Sequence, residues 1–443
     1  MKIAVIGAGW AGLAAAVRAR QAGHAVTLFE TAPRAGGRAR SDDDDGPQPL
    51  DNGQHILLGG YARTLALMRS VGVDGDEALL RQPLAVRWPD GTGFALQERG
   101  IRWIAAARSL WQAPGFTVAD KLSLVRSAAA WRRARFDCDP SLTVSRLLAR
   151  TATPRLRQRL LEPLCVAALN TPVDQASARV FLAVLRDSLF GERDASDLLI
   201  PRVPLDRLLP RPALAWLAGA GTDIRLRTRV VALERVSGRW RVRTGDEDLF
   251  DGAIVATSAP EAARLCATVS PAWSAAAASL AHEPVATVWL STPRRTWPAA
   301  MLALPSDSER RPAQFAFRLP ASDAAGIATS RDHVTLVASA ATPWVERGLP
   351  DLRAAAIAQA REALGFGPDD ALECVGARVD RRATFRCVAG IVRPCAQVAD
   401  GLVAAGDYVD GPYPATLEAA VRAGEAAATT FNAPDKVSSL RTV

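Results

Sequence analysis

The chain has 443 residues, 49% hydrophobic and 23% charged, with 54 Lys and Arg against 46 Asp and Glu for a net charge of +8. That length calls for two lobes rather than one core, the composition is that of a globular protein, and no apolar run approaches the ~20 residues of a membrane-spanning helix. The charge sits on arginine, and no basic run interleaved with stacking aromatics marks a nucleic-acid module; an anionic bilayer is the partner such a surface would take, and an arginine-rich composition without any partner is the plainer reading.

In chain order, KIAVI is a predicted strand, followed by Gly7-x-Gly9-x-x-Gly12 and an alanine-rich helix whose first turn includes Ala11. A lysine before an alanine-rich run mimics a secretory leader, but the three glycines interrupt it, so the segment is read as folded and retained. Gly7 serves the tight turn, Gly9 the close approach of a pyrophosphate and Gly12 the helix–strand contact, with the helix N-terminus facing the phosphates. The second predicted strand, AVTLFE, ends in Glu30, where a carboxylate accepts from ribose hydroxyls.

Gly36-Gly37-Arg38 follows at once, and here the chain resembles the FAD-dependent amine oxidase and phytoene desaturase superfamily. The resemblance implies FAD as cofactor, with the two glycines passing close to it and Arg38 serving its phosphates. Asp42 to Asp45 read as a solvated loop. LDNGQHILLGGY, residues 50–61, turns through Asp-Asn-Gly into an apolar run with Gln54 and His55 at its mouth. By resemblance Asp51, Asn52, Gly53, Gln54 and His55 pass the flavin ring; the plainer reading makes His55 a satisfied core histidine.

Residues 99–136 read as two amphipathic helices broken at Pro114-Gly115, with apolar residues at 101, 104 and 111 and Trp103 on one face and arginines elsewhere. They either pack on their own lobe or dip into a bilayer. LLEPLCVAALNTP, 160–172, is expected to line a substrate tunnel or simply to be core. GAGTD at 219–223 precedes a strand without a following helix, so no second dinucleotide site is expected and reducing equivalents must come from an external donor.

Strands are predicted at 224–227, 229–234, 239–244 and 253–257, and the resemblance places Val230 against adenine through its backbone. Residues 401–428 read as a short strand, a Gly406-Asp407 turn, a proline-bearing loop and a helix. By resemblance Asp407 approaches the ribityl–phosphate part of FAD, and the helix starting near Ala415-Thr416-Leu417 faces the flavin pyrimidine edge.

DNGQHILLGGY, LLEPLCVAALNTP and GDYVDGPYPATLEAAVRAG together are similar to the hydroxysqualene dehydroxylases. That resemblance implies reductive removal of the hydroxyl of the polyisoprenoid hydroxysqualene, with His55 or Gln54 assisting departure. Two alternatives stay open: a carotenoid-type desaturase or isomerase, and a non-catalytic flavin-containing isoprenoid carrier. Amine oxidation is set aside, because none of Lys2, Lys121 and Lys436 falls where a flavin N5 lysine belongs and three tyrosines make a poor aromatic cage.

The expected fold is α/β: a Rossmann-type FAD-binding domain, residues 1–81, 201–269 and 386–443, with an inserted α+β substrate-binding domain, 82–200 and 270–385. Six cysteines without a CxxC pair read as reduced, mostly buried thiols, and four scattered histidines offer no metal-ligand spacing. A cytoplasmic protein is expected, with a peripheral contact on the inner face of the cell membrane.

Overall fold

The computed structural model describes residues 1–41, 50–96, 108–189, 194–245, 247–322 and 328–432. KIAVI forms the strand Lys2–Ile6 at the heart of a six-stranded sheet. From one edge the order is Gln397–Ala399, Leu402–Ala404, Gly252–Val255, Lys2–Ile6, Ala25–Phe29 and Asp223–Arg225. All neighbours are parallel except the first pair. Continuous apolar runs suit strands covered on both faces, and Gly252–Val255 is buried throughout.

The helix Trp10–Gln21 packs on this sheet and against Leu417–Thr429, the helix from the far end of the chain. Their approach is possible because residue 424 is glycine: a Cβ there would collide with the Ala11 carbonyl. A Cβ at residue 12 would likewise collide with the Gly7 carbonyl, so the glycine turn and the helix behind it close on each other.

The predicted strands between 224 and 257 form with shifted ends, as Asp223–Arg225, Ala232–Val236, Arg239–Arg243 and Gly252–Val255. Val230 precedes its strand rather than lying in it. A further strand, Glu247–Phe250, was not expected from its acidic sequence; Phe250 carries it by packing edge-on against Phe29 at 5.9 Å.

A seven-stranded sheet has the order Glu373–Phe385, His282–Pro293, Ala328–Ala338, Phe315–Ser322, Met301–Ala303, Ala85–Arg87 and Gly93–Ala95. The helix Leu349–Leu364 covers one part of it, and helices between 108 and 189 form the remaining mass. A small sheet joins Leu57–Leu58, Leu198–Pro201 and Leu79–Gln82.

Of the two helices expected around Pro114-Gly115, residues 101 to 107 of the first lie outside the described residues, and the second is Val118–Arg133. The acidic run 42–45 also lies outside them. The cysteines are free; Cys165, Cys266 and Cys387 are buried, Cys138 and Cys374 half-buried and Cys395 exposed, so burial is less general than expected.

Candidate active site

Gly9 caps the helix Trp10–Gln21 with no side chain, so no side-chain acceptor meets the donors of its first turn, which includes Ala11. The Gly36–Gly37 turn docks directly on this cap. Gly9 and Gly36 form a parallel bridge, and Gly36 N donates to Ala8 O at 2.8 Å. Gly37 takes a φ of +61°, and a Cβ on it would stand 3.2 Å from Gly9 Cα. At Gly9 itself a Cβ would find nothing closer than Gly37 Cα at 3.9 Å, so the space beside its backbone is open. A helix N-terminus with free donors and an open glycine flank suits a phosphate.

Glu30, expected to end its strand, lies just beyond Ala25–Phe29 beside this cradle, accepting from Ala8 N at 2.7 Å and Ala32 N at 2.8 Å. Thr228 N donates to Glu30 O at 2.8 Å, which brings the Val230 segment to the same place. Val230 is buried and its carbonyl accepts from Arg264 Nη2 at 3.0 Å.

The two ends of the chain meet at Arg38. Its Nη2 donates to Asp407 Oδ1 at 2.6 Å and its Nη1 to Ala383 O at 2.7 Å. Asp407, which follows a strand separated by two others from Ala25–Phe29 and lies 369 residues from Arg38 in sequence, is buried next to Gly406. The turn at 51–55 is strapped to the same arginine. Asn52 Nδ2 donates to Arg38 O at 2.6 Å, and Asp51 accepts from Ser41 Oγ at 2.6 Å and Leu205 N at 3.0 Å. Burial raises the Asp51 carboxyl above the ordinary carboxylate range, with Ser41 and Leu205 opposing.

His55 Nδ1 lies 3.2 Å from Gly53 O. A carbonyl only accepts, so Nδ1 carries the proton and the neutral ring's lone pair falls on Nε2. Burial lowers the imidazole's pKa; the Arg38 cation lowers it further, and the Gly53 carbonyl and Asp380 act in the other direction. Gln54 Nε2 donates to His55 O at 3.4 Å.

His282 and Asp380 belong to this neighbourhood, and sequence reasoning missed both. The pKa of His282 is lowered, first by burial and then by Arg38. His282 and Asp380 sit on paired antiparallel strands where Val285 faces Asp380 across a bulge. The one available signal was the charged stretch ECVGARVDRRATF, which forms a mostly half-buried strand.

Thr416 caps the last helix, its Oγ1 accepting from Ala419 N at 3.1 Å, and Leu417 opens it. Glu418 in that first turn is fully buried and accepts from Thr64 N at 2.9 Å, Thr64 Oγ1 at 2.7 Å and Arg422 Nε at 2.7 Å. The C-terminal helix start is thereby fastened to the helix Ala62–Ser70 that continues from LDNGQHILLGGY.

In the segment 160–172, Asn170 ends a helix at φ +43° and acts as a clasp. Its amide donates to Thr384 Oγ1 at 2.9 Å and accepts from Ala340 N at 2.7 Å. Leu160, Leu161, Cys165 and Leu169 are buried with it. A cavity of about 390 Å³, lined by Asp90, Thr92, Gly115, Arg155, Gln158 and Arg159, contains no residue of the Arg38 junction.

Residues 10–430 match the family described as flavin containing amine oxidoreductase. Among curated proteins, the hydroxysqualene dehydroxylase of Rhodopseudomonas palustris is 32% identical over 58% of this chain and 62% of its own length. That of Zymomonas mobilis is 30% identical over 51% of this chain and 53% of its own. A probable zeta-carotene desaturase of Synechococcus elongatus is 26% identical over 58% of this chain and 56% of its own. The chain thus spans between half and about three-fifths of the length of these relatives. An oxidoreductase from Methanosarcina mazei superposes with a TM-score of 0.75 at 17% identity, covering 97% of this chain and 100% of that one. Cyclohexylamine oxidase from Brevibacterium oxydans gives 0.71 at 17% identity, covering 97% and 98%. At such identities the structures bear on the fold alone.

Proposed function

Because this chain belongs to the flavin containing amine oxidoreductase family, we propose that it is an FAD-dependent oxidoreductase that removes the hydroxyl of hydroxysqualene to give squalene. The observation that carries this reading is the likeness to the hydroxysqualene dehydroxylases, at 30–32% identity. The site residues fit the cofactor: the uncapped helix at Gly9, with its open flank and the Gly37 approach, suits the pyrophosphate, and Glu30 suits a ribose. Arg38 and Asp407, ion-paired at 2.6 Å, would serve the phosphate and ribityl parts. In this reading the six-stranded sheet would carry FAD and the seven-stranded sheet would face the substrate.

When bound and reduced, the flavin supplies a hydride. The protein's own task is to let the hydroxyl go. The alcohol is allylic, so breaking its C–O bond leaves a delocalised cation, and hydroxide must leave as water with a proton from an acid. The hydride then forms the C–H bond, so R–OH, H⁺ and H⁻ become R–H and H₂O. His55 as imidazolium gives that proton from Nε2 while Nδ1 stays on the Gly53 carbonyl, and the Gln54 amide orients the departing oxygen. The site must be dry, since water would recapture the cation.

A zeta-carotene desaturase relative at 26% identity keeps a second reading, desaturation of a polyisoprenoid with the hydride moving the other way. Anaerobic incubation of chemically reduced enzyme with hydroxysqualene, followed by product analysis, separates the two. Squalene is the expected product. No squalene, together with carotene desaturation by the oxidised enzyme, would overturn the first reading for the second.

A further inference from the structure

We propose that the helix Val118–Arg133, with Trp111 beside it, is a docking face for bilayers rich in anionic phospholipid. One side of this helix is committed to the protein interior. Trp131 and Ser127 are buried, Ser123 and Ser127 donate to Thr151 O at 3.0 and 2.6 Å, and Asp120 caps the helix start and accepts from Thr153.

The opposite, outward side carries an apolar stripe. Val118, Leu122 and Val125 follow one another at spacings of four and three residues, the rows that share a helix face. They are 57%, 45% and 53% exposed, and Trp111 is 63% exposed. Among the described residues eight large hydrophobic side chains are exposed, and these four lie within fifteen residues of one another in sequence, which makes a patch rather than scatter. Lys121 joins the two parts: its ammonium donates to Trp111 O and lies 5.8 Å from the centre of the indole ring.

Charge decides the occupant. At 100° per residue, Lys121 and Arg132 border the stripe on one side and Arg126 and Arg133 on the other. From 108 to 136 the acidic residue is Asp120 alone, and it lies on the buried side. A second copy seated here would bring like charges together, whereas a sheet of lipid phosphates over an acyl interior complements both the cations and the stripe. Trp111 suits the headgroup level, where indole rings collect. No helix among the described residues is long and apolar enough to cross a membrane, so this contact would be interfacial. The inference does not depend on which isoprenoid the enzyme turns over.

The test sediments FAD-loaded full-length protein with vesicles of phosphatidylcholine alone or with about 30% phosphatidylglycerol added. Binding is expected to the anionic vesicles, at least about ten-fold tighter than to the neutral ones and weakened by salt. Leu122→Glu with Val125→Glu is expected to weaken it at least about ten-fold while flavin absorbance is retained, and Arg126→Glu with Arg133→Glu to do the same. Absence of binding to anionic vesicles would overturn the proposal, as would unchanged binding by either pair of substitutions. So would a concentration-dependent dimer that the Leu122/Val125 pair dissolves, because the stripe would then be a contact between copies. None of these outcomes bears on squalene formation, so the two proposals fail separately.

Discussion

At His55 the two ring nitrogens are not equivalent, and this shapes what the residue can do. With Nδ1 donating to Gly53 O, the neutral ring offers only a lone pair at Nε2, so giving a proton requires the imidazolium. Burial and Arg38 hold its pKa below the ordinary 6.5, so the acid form grows as pH falls through that lower value. Steady-state turnover with saturating reduced donor should therefore fall as pH rises through a midpoint below 6.5. His55→Ala should lose about 10²–10⁴ of kcat with flavin content unchanged; wild-type turnover in that variant would remove His55 from the chemistry. A second residue-scale expectation concerns Gly9, which has φ −72° and open space beside it. Gly9→Ala should fold normally yet bind FAD at least about ten-fold more weakly, because the methyl occupies the pyrophosphate's approach; titration of apoprotein with FAD by flavin fluorescence checks it. Gly9 and His55 stood out in the sequence because each broke a local pattern. His282 and Asp380 broke none, and only the bulged register of two long antiparallel strands sets them near Arg38.

Among elements, the strands of the nucleotide sheet were legible because buried parallel strands are apolar runs bounded by turn residues. Glu247–Phe250 was not, since its sequence is acidic and it is held by pairing with Arg239–Arg243 and by the packing of Phe250 on Phe29 at 5.9 Å. The helix Val118–Arg133 is the opposite case: it buries Asp120 and Ser127 with Trp131 and leaves Val118, Leu122 and Val125 exposed, so packing rather than polarity decides which side goes inside. The helix Leu417–Thr429 is secured less by its own composition than by Glu418, which gathers Thr64 and Arg422. Glu418→Ala leaves the Thr64 amide and hydroxyl buried without an acceptor, at about 1–3 kcal/mol for each such group. The expected result is a denaturation midpoint lowered by several degrees with weakened flavin retention; an unchanged midpoint would show that the helix start does not depend on this carboxylate.

For the whole molecule, three histidines set a common pH dependence of stability. His55, His282 and His333 all have pKa values below 6.5 in the folded protein, burial being the first cause in each. The unfolded chain titrates them at ordinary values and so binds more protons just below that pH. Stability is then fully present above about pH 6.5 and is lost as pH falls toward the folded values. Chemical denaturation at pH 7.5 and 5.5 should show the lower midpoint at 5.5, and His282→Gln with His333→Gln should narrow the gap.

The sequence alone determined the strand, glycine turn and helix proposed to hold the dinucleotide, because they and the following acid lie within thirty consecutive residues and each follows from local backbone chemistry. By resemblance it also placed a second glycine turn and a C-terminal strand–turn–helix in the same domain, without the contacts between them. The tertiary structure supplied those contacts. Arg38 meets Asp407 across 369 residues, Glu418 fastens the last helix to Thr64, and the 51–55 turn hangs from Arg38. Such contacts depend on sheet order and strand register, which arise from the packing of the entire core and leave no periodic trace in the residues that make them.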